Sequence, residues 1–243
     1  SATLDDTRLA MLLNDAPVVR SEGRAFPIET HYLGRARERW IDEAMAAAIR
    51  KALVDEKGGI LAFLPGRAEI ERTEKRLIEA GLDAEKINLH QLHGGLDPRA
   101  QDRAVKQADD GKRKIVLATS IAETSLTIPD IRIVIDSGLA RAPRFDPAVG
   151  LARLVTERAP ISAVDQRRGR AGRIGPGVCY RLWDEAETRG LPAFPRPEIL
   201  EADLTPLALA LADWGASDPT QLAWLDPPPP GPFAAATDGL RLI

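Results

Sequence analysis

The sequence has little of several features, and each absence excludes a class of protein. Its only cysteine is Cys179, so no intrachain disulfide can form and a reducing compartment is favoured. No run of about 20 apolar residues is present, which excludes an ordinary membrane-spanning helix. The start lacks a basic region followed by an apolar one, so we expect a cytoplasmic protein without a targeting leader. Because His31, His90 and His93 lack metal-ligand spacing, we predict no metal ligands.

Positive and negative side chains nearly balance over the whole chain, but they are unevenly distributed along it. The formal net charge of -3 excludes a uniformly basic nucleic-acid binder. Between residues 140 and 173, however, eight arginines stand against three acidic residues. This basic segment indicates a local site for an anionic partner.

Strand-like and helix-like segments alternate from about residue 25 onward. Short apolar runs, such as residues 60–64, alternate with amphipathic segments, such as 38–55 and 67–80. This pattern predicts an α/β fold in which helices cover both faces of a parallel sheet. A turn-rich centre within residues 139–158 predicts an inserted β-hairpin. Prolines then become frequent, and residues 195–243 are interpreted as a second, small helical element, with a helix at about 204–214 and a short tail.

One arginine-rich stretch carries the strongest chemical signal. Gln166, Arg170 and Arg173 are spaced by four and three residues, so a helix would place them on one face. Arginine presents forked donors that suit phosphate oxygens, and the intervening Gly169 and Gly172 allow close approach of another backbone or a nucleotide. From spacing alone, a solvated arginine-rich helix remains an alternative.

The stretch Gln166-Arg167-Arg168-Gly169-Arg170-Ala171-Gly172-Arg173 resembles motif VI of superfamily 2 helicases, whose pattern is QRxGRxGR. Residues 118–128 resemble motif V in its DEAH/RHA form, residues 60–70 resemble motif IV, and residues 1–5 resemble motif III. The chain therefore resembles the C-terminal half of a DEAH-box helicase. Its Ala/Arg-rich composition and residues 224–228 are most similar to the bacterial HrpB-type subgroup.

The resemblance implies a division into three parts. Residues 1–20 would be the tail of a first RecA-like domain and a linker, 21–190 the second RecA-like domain with its hairpin, and 191–243 the beginning of a winged-helix domain. No Gly-x-x-x-x-Gly-Lys-Ser/Thr motif is present. We therefore expect ATP and Mg²⁺ to be bound mainly by the first RecA-like domain, and this chain to be inactive alone.

The resemblance also implies roles for particular residues. Arg170 and Arg173 would be arginine fingers on ATP, and Gln166 would position the attacking water. The expected nucleotide-binding residues are Ser125, Thr127, Asp130 and Gly138. The expected nucleic-acid-binding residues are Gly66, Arg67, Thr119, Ser120, Arg141, Arg144 and Arg153. For the hydroxyl residues, helix capping or turn bonding is an equal alternative. For the hairpin arginines, the alternative is a basic ribbon that docks on neighbouring domains.

Two departures from the family pattern predict loose nucleotide selectivity. Relatives often carry an adenine-stacking aromatic residue where this chain has Val105, and an Asp where it has Pro129, with Asp130 one position later. The expected partner is single-stranded nucleic acid, RNA by family analogy, and the expected state is a monomer. The competing hypothesis is a module that binds nucleic acid or protein and takes no part in hydrolysis.

Overall fold

The computed structural model describes residues 6–19, 26–34, 38–107, 111–123, 127–146, 149–216 and 218–241. Its contacts divide the chain into two compact units. The first, called here the sheet unit, comprises Gly23–Arg141 and Thr156–Phe194. The second, called the helical unit, comprises Ser1–Glu22, Ala142–Val155 and Pro195–Ile243.

A six-stranded parallel sheet forms the centre of the sheet unit. The strands within the described residues are β1 (Ile28–Tyr32), β2 (Gly59–Phe63), β3 (Ile87–Leu92), β4 (Arg113–Ala118), β5 (Ile131–Asp136), β6 (Leu139–Asp146), β7 (Leu151–Arg158) and β8 (Gly177–Arg181). In the large sheet they follow the spatial order β1-β8-β5-β2-β4-β3, and every neighbouring pair is parallel. All carboxyl ends therefore lie at one edge, the carboxyl edge, and all amino ends at the opposite edge, the amino edge.

Helices cover both faces of this sheet. The α-helices in the described part of the chain are α1 (Asp6–Leu12), α2 (Ile41–Asp55), α3 (Arg67–Glu79), α4 (Pro98–Val105), α5 (Ile161–Gly169), α6 (Thr205–Trp214) and α7 (Pro230–Leu240). On β2, Ile60 and Ala62 pack with buried residues of α2 and α3, whereas Leu61 and Phe63 belong to the opposite core with Ala104 of α4. The predicted α/β fold with a parallel sheet and helices on both faces is confirmed. Successive side chains of a strand point to opposite faces of the sheet, so one apolar strand contributes residues to both cores.

The second core also contains the lone cysteine. Cys179 lies on β8 and is fully buried, and burial raises the pKa of its thiol to about 12. A thiol with such a pKa is not a nucleophile at neutral pH.

A buried carboxylate joins the two helices of the first core. Asp42 on α2 is only 1% exposed and accepts hydrogen bonds from Arg76 at 2.7 Å and Arg72 at 3.3 Å, both on α3. Burial opposes ionisation, but the two guanidinium groups outweigh it and hold the pKa of Asp42 below its ordinary value. The pair of helices is therefore joined by charge as well as by apolar contact.

The predicted hairpin is present as a two-stranded sheet of β6 and β7. Gly150 adopts a positive φ of 64° in the turn between the strands, a conformation that glycine takes without steric cost. The inserted β-hairpin is thus confirmed.

The helical unit has a small core of its own, formed by α6 and α7 through residues such as Leu211 and Phe233. The interpretation of the last residues as a short tail is wrong, because α7 occupies Pro230–Leu240. The run of prolines before it resembles a helix breaker, yet proline is tolerated in the first turn of a helix. The winged-helix assignment stays a prediction. Among the described residues, no helix is both long and apolar enough to span a bilayer.

Candidate functional site

The arginine-rich stretch forms the end of one helix and a turn that continues it. Helix α5 ends at Gly169, and Arg170–Gly172 form a 3-10 turn, after which Arg173 keeps right-handed helical dihedral angles. We call residues 170–173 the arginine turn. The α-helix is shorter than the spacing predicted, but the backbone stays helical through all the predicted positions.

The two arginines of this turn differ in their surroundings. Arg173 is exposed and its Nη1 donates to Oγ1 of Thr127 at 3.1 Å. Arg170 is only 6% exposed, and its Nη2 donates to the backbone carbonyl of Glu123. Burial, followed by the positive charge of Arg173, lowers the pKa of Arg170 to about 10. An anion bound beside the turn would relieve this repulsion between like charges.

Other residues predicted to bind nucleotide are only partly brought together. Thr127 contacts Arg173, and Asp130 lies exposed just before β5 with a positive φ of 64°. Ser125 lies outside the described residues. Gln166 is half-buried on α5. These described residues lie toward the amino edge or on the helix that leads to it.

Gly138 is separated from this group. It follows β5 at the carboxyl edge, so the six residues of that strand, roughly 20 Å at about 3.3 Å each, lie between Gly138 and Asp130. Gly138 is buried with φ at 70°, and a Cβ there would lie 2.7 Å from the ring of Trp183. The need for glycine at this position therefore has a local backbone and packing cause.

Residues predicted to bind nucleic acid gather at the carboxyl edge instead. Thr119 and Ser120 directly follow β4, Gly66 and Arg67 lie at the start of α3 shortly after β2, and Arg141 lies on β6 shortly after β5. Because β5, β2 and β4 are neighbours, these segments emerge side by side. Gly66 and Arg141 are in contact, since a Cβ on Gly66 would lie 2.6 Å from Cζ of Arg141.

The arginines predicted to attract phosphates already face carboxylates. At the carboxyl edge, Arg67 pairs with Glu71 at 2.6 Å and Arg141 with Glu69 at 3.3 Å. On the hairpin, Arg144 pairs with Glu201 and Arg153 pairs with Asp146 at 3.8 Å. Arg158, another arginine of the basic segment at the end of β7, pairs with Glu187 at 2.9 Å. The positive field of the basic segment is therefore weaker than its arginine count indicates.

Arg167 has a structural role that its place in the basic segment did not predict. Arg167 is 1% exposed and donates to Asp136 at 2.8 Å and Glu123 at 2.7 Å, while its guanidinium lies 5.2 Å from the ring centroid of Phe63. Burial raises the pKa of Glu123 despite the adjacent arginine. This buried network joins α5 to the end of β5 and to the segment after β4. The only signal for this network in the sequence was the position of two acidic residues, Glu123 after the apolar strand β4 and Asp136 at the end of the apolar strand β5.

The described residues provide no group of three or more His, Cys, Asp or Glu side chains placed to hold a metal ion.

Comparison with known proteins gives consistent matches. Residues 43–175 match the model of the helicase conserved C-terminal domain. The chain is 44% identical over 243 residues to the ATP-dependent RNA helicase HrpB of Escherichia coli K12, covering all of this chain and 30% of that protein. It is 35% identical to the pre-mRNA-splicing factor ATP-dependent RNA helicase prp22 of Schizosaccharomyces pombe, covering 100% of this chain and 21% of that protein. It is 33% identical to the probable ATP-dependent RNA helicase DHX34 of Homo sapiens, covering 99% of this chain and 22% of that protein.

Solved structures agree with these matches. Two crystal structures of E. coli HrpB, described as a DExH-box NTPase and a DEAH/RHA helicase, superpose with TM-scores of 0.89 and 0.91 at 44% identity. They are matched over all of this chain and over 30% and 31% of their own chains. The chain thus spans less than a third of the length of the relatives it matches.

Proposed function

Since this chain belongs to the helicase conserved C-terminal domain family, in its DEAH/RHA branch, we propose that it serves as the second RecA-like domain of an ATP-dependent RNA helicase. In that role it completes an ATPase site whose phosphate-binding loop comes from a separate RecA-like domain. The relatives are at least three times longer, which leaves room for such a domain. The proposed substrates are ATP and single-stranded RNA, and the proposed working state is a monomer.

The arginine turn is the observation that carries the ATPase part of the proposal. Arg173 and Arg170 supply positive charge to the phosphates of ATP, and Thr127 and Asp130 lie on the same side to meet the nucleotide. An arginine finger stabilises the charge that develops on the transferred phosphoryl group and contributes a factor of about 10³ to 10⁵ to turnover. Gln166 orients the attacking water. Mg²⁺ is held by acidic residues of the separate domain.

The carboxyl edge carries the RNA-binding part of the proposal. Ligands of parallel α/β sheets bind outside the carboxyl ends of the strands, where Gly66, Arg67, Thr119 and Ser120 gather. Hydroxyl groups, backbone N–H groups and a guanidinium there contact the sugar-phosphate backbone without reading sequence. In this proposal, the hairpin of β6 and β7 separates or grips strands.

The first test measures ATP turnover in the complete helicase that contains this chain. In Arg173→Ala, kcat is expected to fall by about 10³ to 10⁵, while the affinity for a fluorescent ATP analogue stays within a few-fold of the parent. Arg50→Ala is the matched control, because Arg50 is an exposed arginine on α2. Turnover that persists in Arg173→Ala, or an equal loss in the control, contradicts the arginine-finger role.

A second test separates this function from that of a binding module. The 243-residue chain alone is expected to show no ATPase activity, and activity returns when the preceding RecA-like domain is supplied. Arg173→Ala in the complete protein keeps its RNA affinity, since the arginine turn lies away from the carboxyl edge. A module that takes no part in hydrolysis would leave turnover unchanged in Arg173→Ala.

A further inference from the structure

The arginine turn is a short element with little rigidity of its own. It follows Gly169, contains Gly172 and has only three residues in 3-10 conformation. Glycine adds backbone freedom, and 3-10 turns have poorer hydrogen-bond geometry than α-helices. Catalytic groups nevertheless need placement within about 0.5 Å of the productive geometry. Neighbouring structure must therefore hold the turn in place.

The start of β1 supplies part of that support through the backbone. The N–H of Phe26 donates to the carbonyl of Gly172 at 3.0 Å, and a Cβ on Gly172 would lie only 2.7 Å from the carbonyl oxygen of Phe26. Just beyond the turn, the N–H of Gly177 donates to the carbonyl of Pro27 at 3.0 Å. The residues around the start of β1 thus hold the end of the arginine turn.

Arg168 adds a side-chain connection to the same strand. Its Nε donates to Oγ1 of Thr30 at 2.8 Å, and its Nη2 donates to the carbonyl of Ile28 at 3.0 Å. The preceding Arg167 bonds instead to Asp136 at the end of β5. Strands β1 and β5 flank β8 on its two sides. Two consecutive arginines therefore join α5 to strands on either side of the strand that follows the arginine turn.

We propose that Arg168 is a positioning residue for ATP hydrolysis. By fastening the last turn of α5 to β1, it fixes the location from which Arg173 reaches the phosphates. This inference rests on the proposed function and adds to it a residue whose hydrogen bonds go to β1.

The test uses the complete helicase and four variants. Arg168→Met keeps the length of the side chain and removes its donors, and kcat is expected to fall by about 10²-fold, the cost of a misplacement of about 1 Å. Its KM for ATP stays within about threefold. Thr30→Val removes one acceptor at nearly constant volume and lowers kcat by about fivefold, the equivalent of one hydrogen bond. Thr30→Ser keeps the hydroxyl and retains the parental kcat, and Arg168→Lys, with a single ammonium group, gives an intermediate value.

The double variant Arg168→Met/Thr30→Val distinguishes a shared contact from two independent effects. Because both changes remove the same hydrogen bond, its kcat is expected to be no lower than that of Arg168→Met alone. A merely structural role would lower the melting temperature while leaving kcat in the folded fraction at the parental value.

A parental kcat in folded Arg168→Met, or equal values for Thr30→Val and Thr30→Ser, overturns the inference. If Arg168→Met does not fold, the pair of Thr30 variants decides by itself. Failure of the proposed function has a different signature, namely turnover that survives Arg173→Ala.

Discussion

Replacing Arg167 by methionine gives the sharpest test of how the sheet unit is held together. The variant keeps most of the apolar stem and removes the charged guanidinium, which lies 5.2 Å from the ring centroid of Phe63. Asp136 is fully buried, Glu123 is largely buried, and both then lose their guanidinium partner. Oδ2 of Asp136 has no hydrogen-bond partner even before the change.

The magnitude follows from the cost of an uncompensated buried charge. Breaking a buried ion pair by removing one partner costs about 3 to 5 kcal/mol. With a shift of about 2 to 4 °C per kcal/mol for a domain of this size, the melting temperature should fall by roughly 6 to 20 °C. Such a loss is a large part of an ordinary folding free energy of about 5 to 15 kcal/mol.

The assay is urea unfolding followed by circular dichroism, with Arg50→Met as an exposed control expected to stay within about 0.5 kcal/mol of the parent. Adding Glu123→Gln and Asp136→Asn to Arg167→Met removes the stranded charges and should recover at least about half of the loss. A loss below about 1 kcal/mol in Arg167→Met, or no recovery in the triple variant, would refute the reasoning.

Three further predictions concern pH, selectivity and helix pairing. His93 is buried and accepts a hydrogen bond from the N–H of Gly95, and burial lowers its pKa below 6.5. The unfolded chain therefore binds the proton first, and the free energy of unfolding should decrease as pH falls through about 6.5, a dependence that His93→Gln weakens in urea titrations. With Val105 where relatives stack adenine, kcat/KM for ATP, GTP, CTP and UTP should agree within about tenfold, and Val105→Phe should raise the preference for ATP. Asp42→Asn should lower the free energy of unfolding by about 1.5 to 3 kcal/mol, because two charge-assisted hydrogen bonds weaken, whereas Asp55→Asn at an exposed pair should change it by less than about 0.5 kcal/mol in the same denaturation experiment.

The fold was largely predictable because its signals are local. An apolar run such as β2, buried on both faces, and amphipathic helices between such runs indicate a parallel sheet without knowledge of the partners of each strand. The order β1-β8-β5-β2-β4-β3 was not predictable in this way, since it depends on which crossovers pack together. Helix α7 was missed because the prolines that precede it are compatible with both a break and a first helical turn.

The candidate site was predictable in composition but not in its distribution of burial. Spacing indicated that Gln166, Arg170 and Arg173 belong together, and Thr127 does contact Arg173. Spacing does not distinguish the buried Arg167 from the half-buried Gln166 and Arg168 beside it, because the charge of an arginine says nothing about the carboxylates that fold against it. Those partners, such as Asp136, lie far away in sequence.

The length of β5 has a consequence for how a protein of this kind can diverge in evolution. The length of one strand separates the carboxyl edge, proposed to bind RNA, from the amino edge, proposed to bind ATP. A substitution at one edge therefore meets different neighbours from a substitution at the other. Affinity for the polymer and speed of the cycle can therefore drift independently, so long as the packed middle of the strand stays intact.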